Sequence, residues 1–172
     1  MSRTIWINSR STGAEAIFAR NLRYLLKNVN SSNKPLAFAC IGSAKVIGDN
    51  LGPIIGTILT RSNYPHVYGT LDHPLNALTL PGYYPILNEI EQQYCLIAID
   101  ASIGNGGESG HLTLSDTCLY PGSALRRRLP ALGSLHITGV FDGLDSPQAG
   151  KLLPVFCRNM GLGLLKICRE IK

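Results

Sequence analysis

Between Ser11 and Asn30 the apolar residues Ile17, Phe18, Leu22, Leu25, Leu26 and Val29 recur at steps of three and four, while Arg20, Arg23 and Lys27 fall between them. That spacing puts one stripe of a helix against a core and predicts an amphipathic helix over 11–29. After the polar connector NSSNK, PLAFACIG has no polar alternation, which suits a strand covered on both faces, as in a parallel sheet. HVYGTL (His66–Leu71) reads as a shorter strand, YCLIAIDAS (Tyr94–Ser102) as the most apolar strand of the chain, and SLHITGVFDG as another. HLTLSD alternates with period two. Helices are predicted for LGPIIGTILTR, with Asp49 or Asn50 as cap and Pro53 in the first turn, for YPILNEIEQQ, and for a short piece in PGSALRRRLPAL. The last helix is SPQAGKLLPVFCRNMGLGLLKICREI, with Ser146 and Pro147 as cap and first turn. Pro154 is expected to kink it or to move its start downstream. Strands alternating with helices predict one α/β domain over 1–172 with a mostly parallel sheet.

Composition narrows the classes. With 45% hydrophobic and 16% charged residues the chain has enough apolar material for a full core. No apolar run approaches the ~18 residues of a membrane span, and MSRTIWINSR lacks the apolar centre of a secretion signal, so no membrane partner is expected. The five cysteines are an odd, scattered set without any C-x-x-C, which predicts reduced thiols and a cytoplasmic protein rather than disulfides or a zinc ribbon. The net charge of +5 is mild. Its densest piece, Arg126–Arg128, has no interleaved aromatics and reads as a solvated helix face, not a nucleic-acid groove. A homo-oligomer is compatible with all of this.

The chemistry centres on CIGSAKVIGDNLGP (Cys40–Pro53). It is not a phosphate loop: G-x-x-x-x-G-K-[ST] and G-x-G-x-x-G are both absent here, and the anionic Asp49 at the helix entrance opposes a phosphate. GLGLLK lies inside the last helix, where its glycines allow close packing. GESGH does not fit G-x-S-x-G, and no H-E-x-x-H or Cys/His cluster occurs. What remains is a pair of acids. Asp49 follows the first parallel strand, and Asp100 ends CLIAID, the third. In a doubly wound sheet those two strands are neighbours, and the loops at their C-terminal ends face one crevice. Two carboxylates there could share a proton or hold a cation.

Each acid alone has a structural explanation, Asp49 as a helix cap and Asp100 as a strand end; their convergence is what points to function. His136, on a later strand, could complete a divalent-metal set with Asp49 and Asp100. It could equally be a satisfied core histidine. Gly42, Ser43, Asn50 and Asp72 lie on loops that would line the crevice and are the candidate substrate-binding positions.

Taken in order, CIGSAKVIGDNLGPIIGTIL, VYGTLDHPLNAL, IAIDASIG, PGSALRRRLPALGSLHITGV and the closing helix resemble a family of sporulation proteins from endospore-forming bacteria. The resemblance runs from about Pro35 onward. That family is similar to the spore germination protease and to hydrogenase maturation endopeptidases. The resemblance implies a three-layer α/β/α sandwich of the phosphorylase/hydrolase-like type and a protein or peptide substrate. Asp49 in GDNLGP and Asp100 in IDAS match the two acids of the germination protease's atypical aspartic-type site, which makes them the candidate catalytic pair. Asp49, Asp100 and His136 in HITG match the acids and the histidine that bind a metal ion in the maturation enzymes. Two departures accompany the match. The chain is far shorter than the germination protease, without an obvious propeptide, and Ser43 stands where the maturation enzymes carry the Asn of a G-N pair. The resemblance brings no assigned activity with it, and a non-catalytic binding module on the same fold is the alternative.

Overall fold

A computed structural model describes residues 2–121 and 129–171 of the chain. In chain order the elements are β1 (Thr4–Asn8), α1 (Ala14–Val29), β2 (Leu36–Cys40), α2 (Leu51–Arg61), β3 (Val67–Tyr68), α3 (Leu80–Gln93), β4 (Cys95–Ile103), β5 (His111–Ser115), β6 (Leu135–Phe141) and α4 (Pro147–Glu170). The expected short helix with Arg126–Arg128 falls largely on 122–128, outside the described residues.

All six strands form one sheet in the order β1-β5-β6-β4-β2-β3. β3, β2, β4 and β6 run parallel; β5 is antiparallel to β6, and β1 to β5. The expected adjacency of the first and third parallel strands is present as β2 beside β4, with Cys40 opposite Ile99.

Helices cover both faces, giving the α/β sandwich that the element order implied. Along β2, Leu36, Phe38 and Cys40 face α1, α2 and α4, while Ala37 and Ala39 face the layer that contains α3. Large residues therefore fill the thicker side and alanines let α3 come close on the other. On the thick side Phe141 of β6 meets Phe156 of α4 edge to face, 4.9 Å between ring centres. Each such fully buried side chain contributes about 1.5–3 kcal/mol of transfer free energy. The glycines of GLGLLK serve packing as expected: a Cβ on Gly163 would stand 2.3 Å from Cδ1 of Phe18, so α1 crosses α4 at the place where a side chain is missing.

Some elements differ from their sequence patterns. β1 was not predicted: five residues with only Ile5 and Ile7 turned to the core carry too short a signal to stand out. β3 is two residues rather than the stretch His66–Leu71, because Gly69 (φ 94°) turns the chain away beneath α2. Pro154 neither breaks α4 nor delays its start. The helix runs through it from Pro147, with the Ser146 hydroxyl accepting from the Ala149 N–H at 3.0 Å, because the stripe Leu152, Phe156, Met160, Leu164 and Ile167 is buried along its whole length. At α2, Asn50 takes the cap position but its side chain makes no cap bond.

Candidate functional site

The site starts from a strand and a turn. β2 ends at Cys40, and the Ile41 N–H still reaches the Ile99 carbonyl of β4 at 2.7 Å. The chain must then reverse over the end of β2 before α2 can begin. Gly42 makes this possible: its φ is 145°, and a Cβ there would sit 1.9 Å from the carbonyl oxygen of Asp49. Only a residue without a side chain permits that approach. The turn closes on itself, since the Ser43 N–H donates to Oδ2 of Asp49 at 2.8 Å. Asp49 is thus held by the loop, half-buried, at the entrance of α2. Its carboxyl is shifted above the usual range by burial, with the Ser43 N–H acting in the opposite direction.

Asp100 sits late in β4, where the residues stop being fully buried. Its neighbours Ile99 and Ala101 join the core under α1, α2 and α4, so Asp100 points to the opposite face. Burial pushes its carboxyl up to about 8, and the charge of Asp49 adds to this; the Ala101 N–H, 2.8 Å from Oδ1, works against both. The structure therefore brings the two acids close enough for one charge to be felt by the other. Near neutral pH this favours the protonated form of Asp100.

His136 lies on the same face, two residues before Thr138, the residue paired with Asp100 across β4 and β6. Its Nδ1 is 2.8 Å from the Thr117 carbonyl. A carbonyl only accepts, so Nδ1–H is the donor in this bond. Among the described residues, however, no three His, Cys, Asp or Glu side chains are grouped so as to hold a metal ion. Asp49, Asp100 and His136 do not fit a metal as a set.

The remaining candidates separate. Gly42 and Ser43 build the turn. Asn50 carries an oddity: its Oδ1 is the one buried side-chain polar atom without a hydrogen-bond partner among the described residues. Asp72 is exposed and lines a different cavity of about 390 Å³ at the β3 edge, together with Thr57, Arg61, Tyr68, His73 and Tyr83.

Sequence reasoning missed the hydroxyls beside Asp100. Thr138 approaches Thr113 of β5 at 2.7 Å (Oγ1 to Oγ1), and Ser102 donates to Thr138 at 3.3 Å. Thr113 and Thr138 are buried. The period-two alternation of HLTLS was the available signal; which strand it would pair with was not written in it.

These residues lie within a matched stretch. Residues 9–164 match the family model described as Protein of unknown function (DUF1256). The chain belongs to this family. The uncharacterized protein YyaC of Bacillus subtilis (strain 168) is 31% identical over 132 residues, which are 74% of this chain and 64% of the relative. The chain thus spans a little under two thirds of that curated relative's length. In this DUF1256 protein, Asp49, Asp100 and His136 all fall inside the family match. No helix among the described residues is long and apolar enough to cross a membrane.

Proposed function

We propose that this DUF1256 protein is a peptidase-like protein whose chemistry is carried by Asp49 and Asp100. The observation supporting this reading is a carboxyl pushed up to about 8 late in a central strand, with the charge of a second acid, held by a glycine-built turn, contributing to that rise. In its carboxylate form Asp49, oriented by the Ser43 N–H, accepts a proton from a water molecule as that water's oxygen adds to a peptide carbonyl carbon. Asp100 gives its proton to the amide nitrogen as the C–N bond breaks. The proton gained by Asp49 then returns to Asp100 through solvent, and both groups are reset. The motif resemblance supports a location in the cytoplasm of a spore-forming cell, with a protein or peptide as substrate.

The test is incubation of the purified chain with a proteome-derived peptide mixture from pH 5 to 9, read by mass spectrometry. New termini should accumulate with a bell-shaped pH profile whose upper limb lies near 8. Asp49→Asn and Asp100→Asn should each abolish them with the circular dichroism unchanged. Cleavage that survives in Asp100→Asn, or none at any pH, would refute the reading.

A second reading, a non-catalytic peptide-binding module, is favoured by the open β3 edge and the cavity beside it that holds Asp72 and His73. An exposed edge can accept an extended peptide as an added strand. Under this reading peptides are bound uncut, and the Asp49→Asn/Asp100→Asn double variant binds them as the natural chain does.

A further inference from the structure

At the other end of the sheet, where β2, β3 and β4 begin, lies a cavity of about 640 Å³, within the range of small-ligand sites. Its walls include Tyr64, His66, Tyr94, Leu165, Cys168 and Arg169. How the walls are made bears on what they would take. The loop from α2 to β3 carries two residues in the left-handed region. Asn63 (φ 58°) has an ordinary reason: it follows the C-cap of α2, and the Tyr64 N–H closes back on the Leu59 carbonyl. His66 (φ 56°) has no such helical role. Its carbonyl accepts from Phe38 N–H at 3.0 Å, and its ring lies against Tyr94 with centres 4.2 Å apart. The floor is neutral and already satisfied. Tyr64 stands edge-on to Phe38 at 5.4 Å beside Cys168, and burial pushes both groups up, the thiol to about 12. Arg169 is the one permanently charged side chain among the lining residues, and the last turn of α4 favours a cation at that place.

We propose that this cavity binds a small planar aromatic acid, its ring against the His66–Tyr94 pair and its anionic group on Arg169. The paired rings of His66 and Tyr94, with Leu165 of α4 in the same wall, suit a ring rather than a flexible chain. A single guanidinium suits one carboxylate, held by charge-assisted hydrogen bonds. The site is separate from Asp49 and Asp100, at the opposite end of the strands, so it stands or falls independently of the peptidase reading.

The experiment is an NMR titration of the isotope-labelled full chain with naphthalene-2-carboxylate, its neutral carboxamide, the saturated decahydronaphthalene-2-carboxylate, and acetate. Saturable shifts are expected at the amides of Tyr64, His66 and Tyr94 with the aromatic acid. The carboxamide should bind about tenfold more weakly, the size of one charge-assisted contact, and the saturated acid about threefold more weakly, for loss of ring–ring contact. Arg169→Gln should weaken the aromatic acid about tenfold and leave the carboxamide unchanged. His66→Gly, which keeps the left-handed backbone, should erase the preference for the aromatic over the saturated acid. The proposal is overturned by shifts that acetate reproduces, by shifts centred on Asp49 and Asp100 instead, by undiminished binding in Arg169→Gln, or by no saturable shift in a folded natural chain.

Discussion

Removing the acid at position 100 should make the protein more stable above neutral pH. A carboxyl whose pKa rises from 3.8 to about 8 on folding binds its proton more tightly in the native state than in the unfolded one. Between those two values the unfolded chain has released that proton and the native chain has not. Stability from this group is therefore fully present below about pH 4 and is lost as pH rises toward 8. At 1.36 kcal/mol for each tenfold change in affinity, the full loss would be ~5–6 kcal/mol. Asp100 is partly open to solvent, and water relieves some of that cost. A fall of about 2–3 kcal/mol is the working figure. Asp100→Asn keeps the shape and removes the ionisation. Urea unfolding of both chains at pH 4, 5, 6, 7 and 8 should show their difference growing with pH, with the variant ahead by about 2–3 kcal/mol at pH 8 and near parity at pH 4. Asp49 titrates in both chains, and its coupling to position 100 is part of the difference. A difference that is flat with pH, or that favours the natural chain at pH 8, would refute a proton-holding Asp100.

Other expectations follow from single residues. Gly42→Ala forces a Cβ to within 1.9 Å of the Asp49 carbonyl oxygen, so it should cost about 3 kcal/mol or more in urea unfolding and displace Asp49. Ser146→Ala removes the hydroxyl that caps α4 and should lower stability by about 1 kcal/mol, read from the denaturation midpoint. Asn50→Leu replaces a buried, unpartnered Oδ1 and should be neutral or stabilising by up to about 1–2 kcal/mol; a loss of that size would instead mean that the oxygen has a partner in solution. Gly163→Ala drives a methyl toward Phe18 and should lower the thermal midpoint, with a cost of about 1–3 kcal/mol.

Local pattern sufficed where local physics decides. The three- and four-residue steps of α1, the unbroken apolar runs of β2 and β4, and the Ser-Pro start of α4 each specify an element from neighbouring residues alone. Asp100 could be singled out because it ends an apolar run, and Asp49 because it stands at a predicted helix entrance after a glycine-rich turn. The parallel pairing of β2 with β4 followed from the alternation of strands and helices.

Tertiary structure decided the rest, because burial and register are properties of residues distant along the chain. β1 became a strand by pairing with β5, more than a hundred residues away, so its five residues needed little pattern of their own. Pro154 stayed helical because the whole inner stripe of α4 is buried, outweighing one missing hydrogen bond. The hydroxyls of Thr113 and Thr138 meet only because β5 and β6 pair in one register. The same holds for the proton on Asp100. An aspartate in a sequence is an acid near 3.8; burial late in β4, with a smaller contribution from the charge of Asp49, moves it to about 8.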